Sequence, residues 1–124
     1  MDSDAIQVFT TIDDRALADR MADALISRRL AACVQITGPV TSVYRWQGKV
    51  ETSQEWLCII KTQASRYPAV EAAIRELHTY QVPEIVAVPI VAGSKDYLAW
   101  LTQETADSVP PTTRITVHGD TKQW

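Results

Sequence analysis

The rhythm of apolar and polar positions changes several times along the chain. From Ala5 to Ile12 (AIQVFTTI) β-branched and aromatic residues dominate, and Ile6, Val8 and Thr10 alternate with Gln7, Phe9 and Thr11, which predicts a strand. Asp13-Asp14 then supply an N-cap and negative charge ahead of Leu17, Met21, Ala24 and Leu25, whose spacing is helical. An amphipathic helix is expected through about Arg29, with Arg28 and Arg29 suited to its negative C-terminal end. Between Ala31 and Gln63 the pattern returns to period two in two strands. Gln47-Gly48-Lys49 is the natural turn between them, and Gly38-Pro39 marks a bulge or bend in the first. Ser65 is placed to cap a second helix, with Pro68 in its first turn and Val70, Ile74 and Leu77 on one face, ending near His78-Thr79-Tyr80. Val82-Pro83 resets the backbone, Ile85 to Val91 reads as a fourth strand, and Gly93-Ser94 open a third helix from Lys95 to about Thr105.

Strand, helix, strand, strand, helix, strand and a closing helix form the split βαβ order of a ferredoxin-like α+β sandwich, βαββαβ with an extra C-terminal helix. Residues 1–105 make one domain, and 106–124 are a polar extension in which Arg114 to Val117 could add a short strand. With both crossover helices on one face, the strands should alternate, yet Leu57-Cys58-Ile59-Ile60 and Ile85-Val86-Ala87-Val88 are apolar on both sides. Other copies of the same chain are the simplest cover for the second face; cover by the third helix and the tail in a monomer is the alternative.

Composition narrows the function. The 124 residues, 46% hydrophobic and 22% charged, suit one domain with its own core, so stability alone requires no cofactor. Twelve Lys and Arg against fifteen Asp and Glu, with no basic cluster beyond Arg28-Arg29, disfavour a nucleic-acid or anionic-membrane partner. Met1 to Ala5 lacks the apolar stretch of a secretory signal, and no run approaches the roughly 20 apolar residues of a membrane span; a cytoplasmic protein is expected. Cys33 and Cys58 show no CxxC spacing and are expected as free thiols.

Chemistry-bearing motifs are few. GxSxG, Walker, GxGxxG and HExxH patterns are all missing, so a hydrolase or NTPase is disfavoured and no enzyme is expected. Cys33, His78 and Glu84 together supply a thiolate, an imidazole and a carboxylate, a mixed set suited to a borderline or soft divalent ion. The plainer alternative makes Cys33 core filler, His78 a helix C-terminal residue and Glu84 a solvated group. Glu55 and Lys61 flank the run WLCII on one face, roughly 20 Å apart, so each needs a partner outside the strand if buried. Tyr44, Trp46, Trp56, Tyr80 and Trp100 form an aromatic set of the sort a subunit interface uses.

Five stretches, RRLAACVQI at 28–36, SVYRWQGKVE at 42–51, EWLCIIKT at 55–62, LHTYQVPEIVAVPI at 77–90 and YLAWL at 97–101, resemble the CutA family of divalent-cation tolerance proteins, in family order. The resemblance implies a tight homotrimer of ferredoxin-like subunits with long hairpins wrapped around neighbours. It also implies an association with divalent metals, copper above all, and with heavy-metal tolerance, without catalysis. Carried over by position, Cys33, His78 and Glu84 are the metal candidates, while Tyr44, Trp46, Lys61 and Tyr80 fall at intersubunit clefts. Thr79 stands where many relatives have Pro, and Gln81 where an acidic residue is common. The alternative is a trimeric small-molecule sensor resembling the nitrogen-regulatory PII proteins, taking an anion or nucleotide in those clefts through Lys61 and Arg45. Thiolate and imidazole ligands must be deprotonated, so metal affinity should rise with pH through the neutral range.

Overall fold

The computed structural model describes residues 4–106. Four strands and three helices follow in the order β1 (Ala5–Ile12), α1 (Arg15–Ser27), β2 (Cys33–Trp46), β3 (Lys49–Gln63), α2 (Tyr67–Leu77), β4 (Val86–Pro89) and α3 (Lys95–Glu104). The extension beyond residue 106, including the strand expected at Arg114 to Val117, lies outside the described residues.

The sheet runs β2-β3-β1-β4, and every adjacent pair is antiparallel. β1 and β2 therefore point the same way with β3 between them, which is the split arrangement the element order predicts. Even-numbered residues of β1 and β3 build one face. Val8, Ile12, Cys58 and Ile60 are buried there beneath Leu17, Ala18, Met21 and Leu25 of α1 and Val70, Ala73 and Ile74 of α2. Thr62 shares this face because its hydroxyl donates to the Leu30 carbonyl at 2.7 Å, so the polar group enters the core with a partner.

Local chemistry sets most element ends. The Asp14 carboxylate accepts from the Leu17 N–H and starts α1, and the Ser94 hydroxyl accepts from Tyr97 N–H and starts α3. Three expectations need correction. α1 ends at Ser27, so Arg28 and Arg29 lie past its last turn: Arg28 is the C-cap, Arg29 takes a left-handed φ of 57°, and their guanidiniums reach Glu76 and Glu104 on the other two helices. Ser65 does not cap α2, because Ala64–Arg66 form a single 3-10 turn that leads into the helix at Tyr67 with Pro68 in its first turn. β4 is only four residues long, since it pairs with β1 alone, from Ile6 to Phe9.

The β2–β3 hairpin outgrows the sheet. β1 ends opposite Trp56, so the hairpin from Val40 to Gln54 continues as a two-stranded ribbon. Its turn, Gln47-Gly48, has φ of 51° and 82°, the signature of a type I′ turn that follows the twist of the strands. A bulge interrupts β2 between Thr37 and Val40 at the cis Gly38-Pro39 bond. Three steps on β2 there match two on β3, from Leu57 to Glu55.

The two turn-type glycines of the hairpin should differ in tolerance. A Cβ on Gly38 would sit 2.8 Å from a Trp56 ring carbon and 3.0 Å from the Glu55 carbonyl, at a φ of 152°, whereas one on Gly48 meets nothing. Gly38→Ala is expected to destabilise by roughly 2–3 kcal/mol, and Gly48→Ala by about 1 kcal/mol from its left-handed backbone alone. Urea unfolding midpoints at matched protein concentration measure the difference.

Candidate functional site

The sheet face opposite α1 and α2 carries the odd-numbered residues of β1 and β3. α3 covers only one end of it. Gln63 donates to the Thr102 and Thr105 carbonyls and to the Thr105 hydroxyl, Leu101 is fully buried, and the Tyr97 ring lies 5.9 Å from the Lys61 ammonium. Cys33 pairs across the ladder with Lys61 and its thiol approaches Tyr97; burial first, then this neighbour, pushes the Tyr97 phenol up. Away from α3 no described element covers the same face, and Val86 and Val88 are exposed.

At the other end of that face lies a cavity of about 700 Å³, lined by Thr11, Ser42, Val43, Tyr44, Trp46, Glu55 and residues 80–84. The bulge in β2 accounts for the aromatic wall. Because it adds one residue, Val40, Ser42, Tyr44 and Trp46 pair with Glu55, Ser53, Glu51 and Lys49 and share their side of the ladder. The opposite wall is the segment that follows α2. His78 anchors it: Nε2 bonds the Thr11 carbonyl at 2.8 Å and Nδ1 accepts from the Tyr80 N–H at 3.1 Å, so the ring is neutral with its proton on Nε2. The His78 and Tyr80 rings meet edge to face at 4.5 Å.

That anchoring aims the Tyr80 hydroxyl at Glu55, whose Oε2 accepts it at 2.7 Å. Glu55 is only 6% exposed, and no described basic residue pairs with it. Burial, then the Glu55 hydrogen bond, pushes the Tyr80 phenol well up and keeps it a donor.

The sequence-derived residues thus divide. Tyr44, Trp46, Tyr80 and Glu84 all line the cavity, and His78 braces it from behind. Cys33 and Lys61 stand at the far end of the sheet, four ladder steps or roughly 13 Å beyond the Leu57 position next to Thr11. Among the described residues no group of three His, Cys, Asp or Glu is placed to hold a metal. Cys33, His78 and Glu84 do not form one coordination site within a chain, and His78 has both ring nitrogens committed. The residue that motif reading left out of the site is Glu55; its signal was an acid at the head of an apolar strand run. Cys58, in the core, is pushed up to about 11 by burial, with Arg15 lowering and Asp19 raising it less, so it is no nucleophile at neutral pH.

Residues 6–104 match the family model described as CutA1 divalent ion tolerance protein. The chain is similar to the divalent-cation tolerance protein CutA of Thermus thermophilus, 45% identical over 98 residues that make up 79% of this chain and 95% of that protein. It is 42% identical over 104 residues to the chloroplastic CutA 1 of rice, covering 84% of this chain and 59% of that longer protein. The solved structure of the Thermus protein superposes with a TM-score of 0.80 at 43% identity, over 82% of this chain and 99% of that one.

Three outcomes follow from this geometry. Tyr80→Phe removes the hydroxyl donor of a buried carboxylate and is expected to lower stability by about 1–3 kcal/mol, read from urea unfolding. A thiol reagent at pH 8 should label Cys33 and spare Cys58 until the protein unfolds. Because the Cys58 pKa rises from 9.0 to about 11 on folding, its contribution of roughly 2–3 kcal/mol is fully present below pH 9 and lost as pH rises to 11, and Cys58→Ala flattens that alkaline decline.

Proposed function

The chain belongs to the CutA1 divalent ion tolerance family, and on that premise we propose that it is a non-enzymatic cytoplasmic protein that works as a homotrimer in tolerance of divalent cations, copper foremost. The observation that carries the assembly is the half-covered sheet. Val86 and Val88 lie on its open face at 48% and 42% exposure, and Val43 and Val50 on the projecting ribbon at 66% and 64%. Apolar strand surface of this extent, next to a ribbon whose outer edges no described strand pairs, is stabilised by sibling copies. No described helix is long and apolar enough to cross a membrane.

The metal part of the reading rests on the family description and on donors that act separately. Cys33 offers a thiol beside Lys61, and Glu84 a carboxylate on the cavity wall. His78 becomes a ligand only by giving up its bonds to Thr11 and Tyr80. Binding of this kind is weak compared with a closed site of three or four ligands.

A second reading, ligand sensing in the manner of the PII proteins, draws support from the cavity itself. The anion version fits poorly, because Glu55 and Glu84 are the charged residues among those lining it and Lys61 lies elsewhere. Light scattering at micromolar protein is expected to report three times the 13.8 kDa chain mass; a cooperatively melting monomer rejects the assembly. Calorimetric titration with Cu(II) should show weak binding that falls in Cys33→Ala and Glu84→Ala and changes least in His78→Ala. Variants that all bind as the parent does reject these donors. A parallel thermal-shift series with ATP should leave the midpoint unchanged.

A further inference from the structure

The cavity beside Glu55 has a chemistry that metal tolerance does not use. Its volume of about 700 Å³ lies in the range of small-molecule sites. Its charge has one sign. Glu55 is nine-tenths buried, has one oxygen held by the neutral Tyr80 hydroxyl, and has no described cation against it. Glu84 adds a second carboxylate to the lining. A carboxylate so withdrawn from water is costly unless a positive charge or several donors compensate it, and a single phenol is a partial answer.

The remaining lining is uncharged: Tyr44, Trp46 and Tyr80 are aromatic, Val82 and Pro83 are hydrocarbon, and Thr11, Ser42 and Gln81 are neutral polar residues. Aromatic faces attract cations and cover apolar groups, and among the described residues no group of three His, Cys, Asp or Glu is placed to hold a metal ion instead. We propose that this cavity binds an organic ammonium ion with an apolar body, the ammonium against Glu55 and Glu84 and the body against the Tyr44 and Trp46 rings. Tyr80 positions the Glu55 carboxylate by holding one oxygen and leaving the other for the ligand. The site is independent of Cys33, so its failure and that of the metal reading are separable.

Phenethylammonium and 2-phenylethanol have the same number of heavy atoms and differ in charge, which makes them suitable probes on the full-length assembled protein. Calorimetry is expected to show the ammonium binding at least roughly tenfold tighter than the alcohol, as a cation–π contact plus a buried carboxylate implies. The Trp46 indole N–H resonance should move in the same titration. Glu55→Gln should bring the ammonium close to the alcohol, and Glu84→Gln, at a second acid of the lining, should weaken it in part while leaving the melting profile intact. Cys33→Ala should bind the ammonium as the parent does. Equal affinity for the two probes, tighter binding of phenylacetate, no saturation by the ammonium because a neighbouring copy fills the cavity, or indifference to both glutamate substitutions would each overturn the proposal.

Discussion

Two crossover helices can roof one face of a four-stranded sheet, and the rest of this molecule follows from that limit. α1 and α2 close over Val8, Ile12, Cys58 and Ile60, and the core is complete on that side. α3 reaches only the end of the other face around Lys61 and Gln63. Among the described residues nothing roofs the apolar sheet that lies between, and the ribbon beyond Trp56 has neither roof nor third strand. The cavity exists because the segment from His78 to Glu84 crosses the open face near the root of that ribbon and leaves a gap against it.

Much of this was legible in the residues. Alternation in β1, the Asp14 and Ser94 caps, the Gln47-Gly48 turn and the interruption at Gly38-Pro39 are local signals, and each marks the element it announces. The misplaced start of α2 has a local cause too: Ser65 has the chemistry of a cap, but Pro68 with Tyr67 lets the helix begin after a 3-10 turn instead. β4 is shorter than the apolar run from Ile85 to Val91 suggests, because composition cannot tell a paired residue from one that is merely extended.

The site was harder to read because it depends on distances that sequence does not carry. Cys33 and His78 are plausible ligands by type, yet they fall at opposite ends of the sheet, and His78 spends both nitrogens on backbone groups. Within one chain Lys61 and Tyr80 stand at different ends of the sheet. Tyr44, Trp46 and Tyr80 do meet, and the acid they meet around, Glu55, was visible only as a charge out of place.

The bulge at Gly38-Pro39 acts as a phase shifter. Before it the odd residues of β2 face away from α1 and α2, and after it the even ones do. A chain one residue shorter at that point would keep Val40 opposite Glu55 and Tyr44 and Trp46 on the same side of the ladder, while straightening the ribbon where it leaves the sheet. The inserted residue thus governs the angle at which the aromatic wall leans over the recess, and with it the width of the mouth through which a guest must pass.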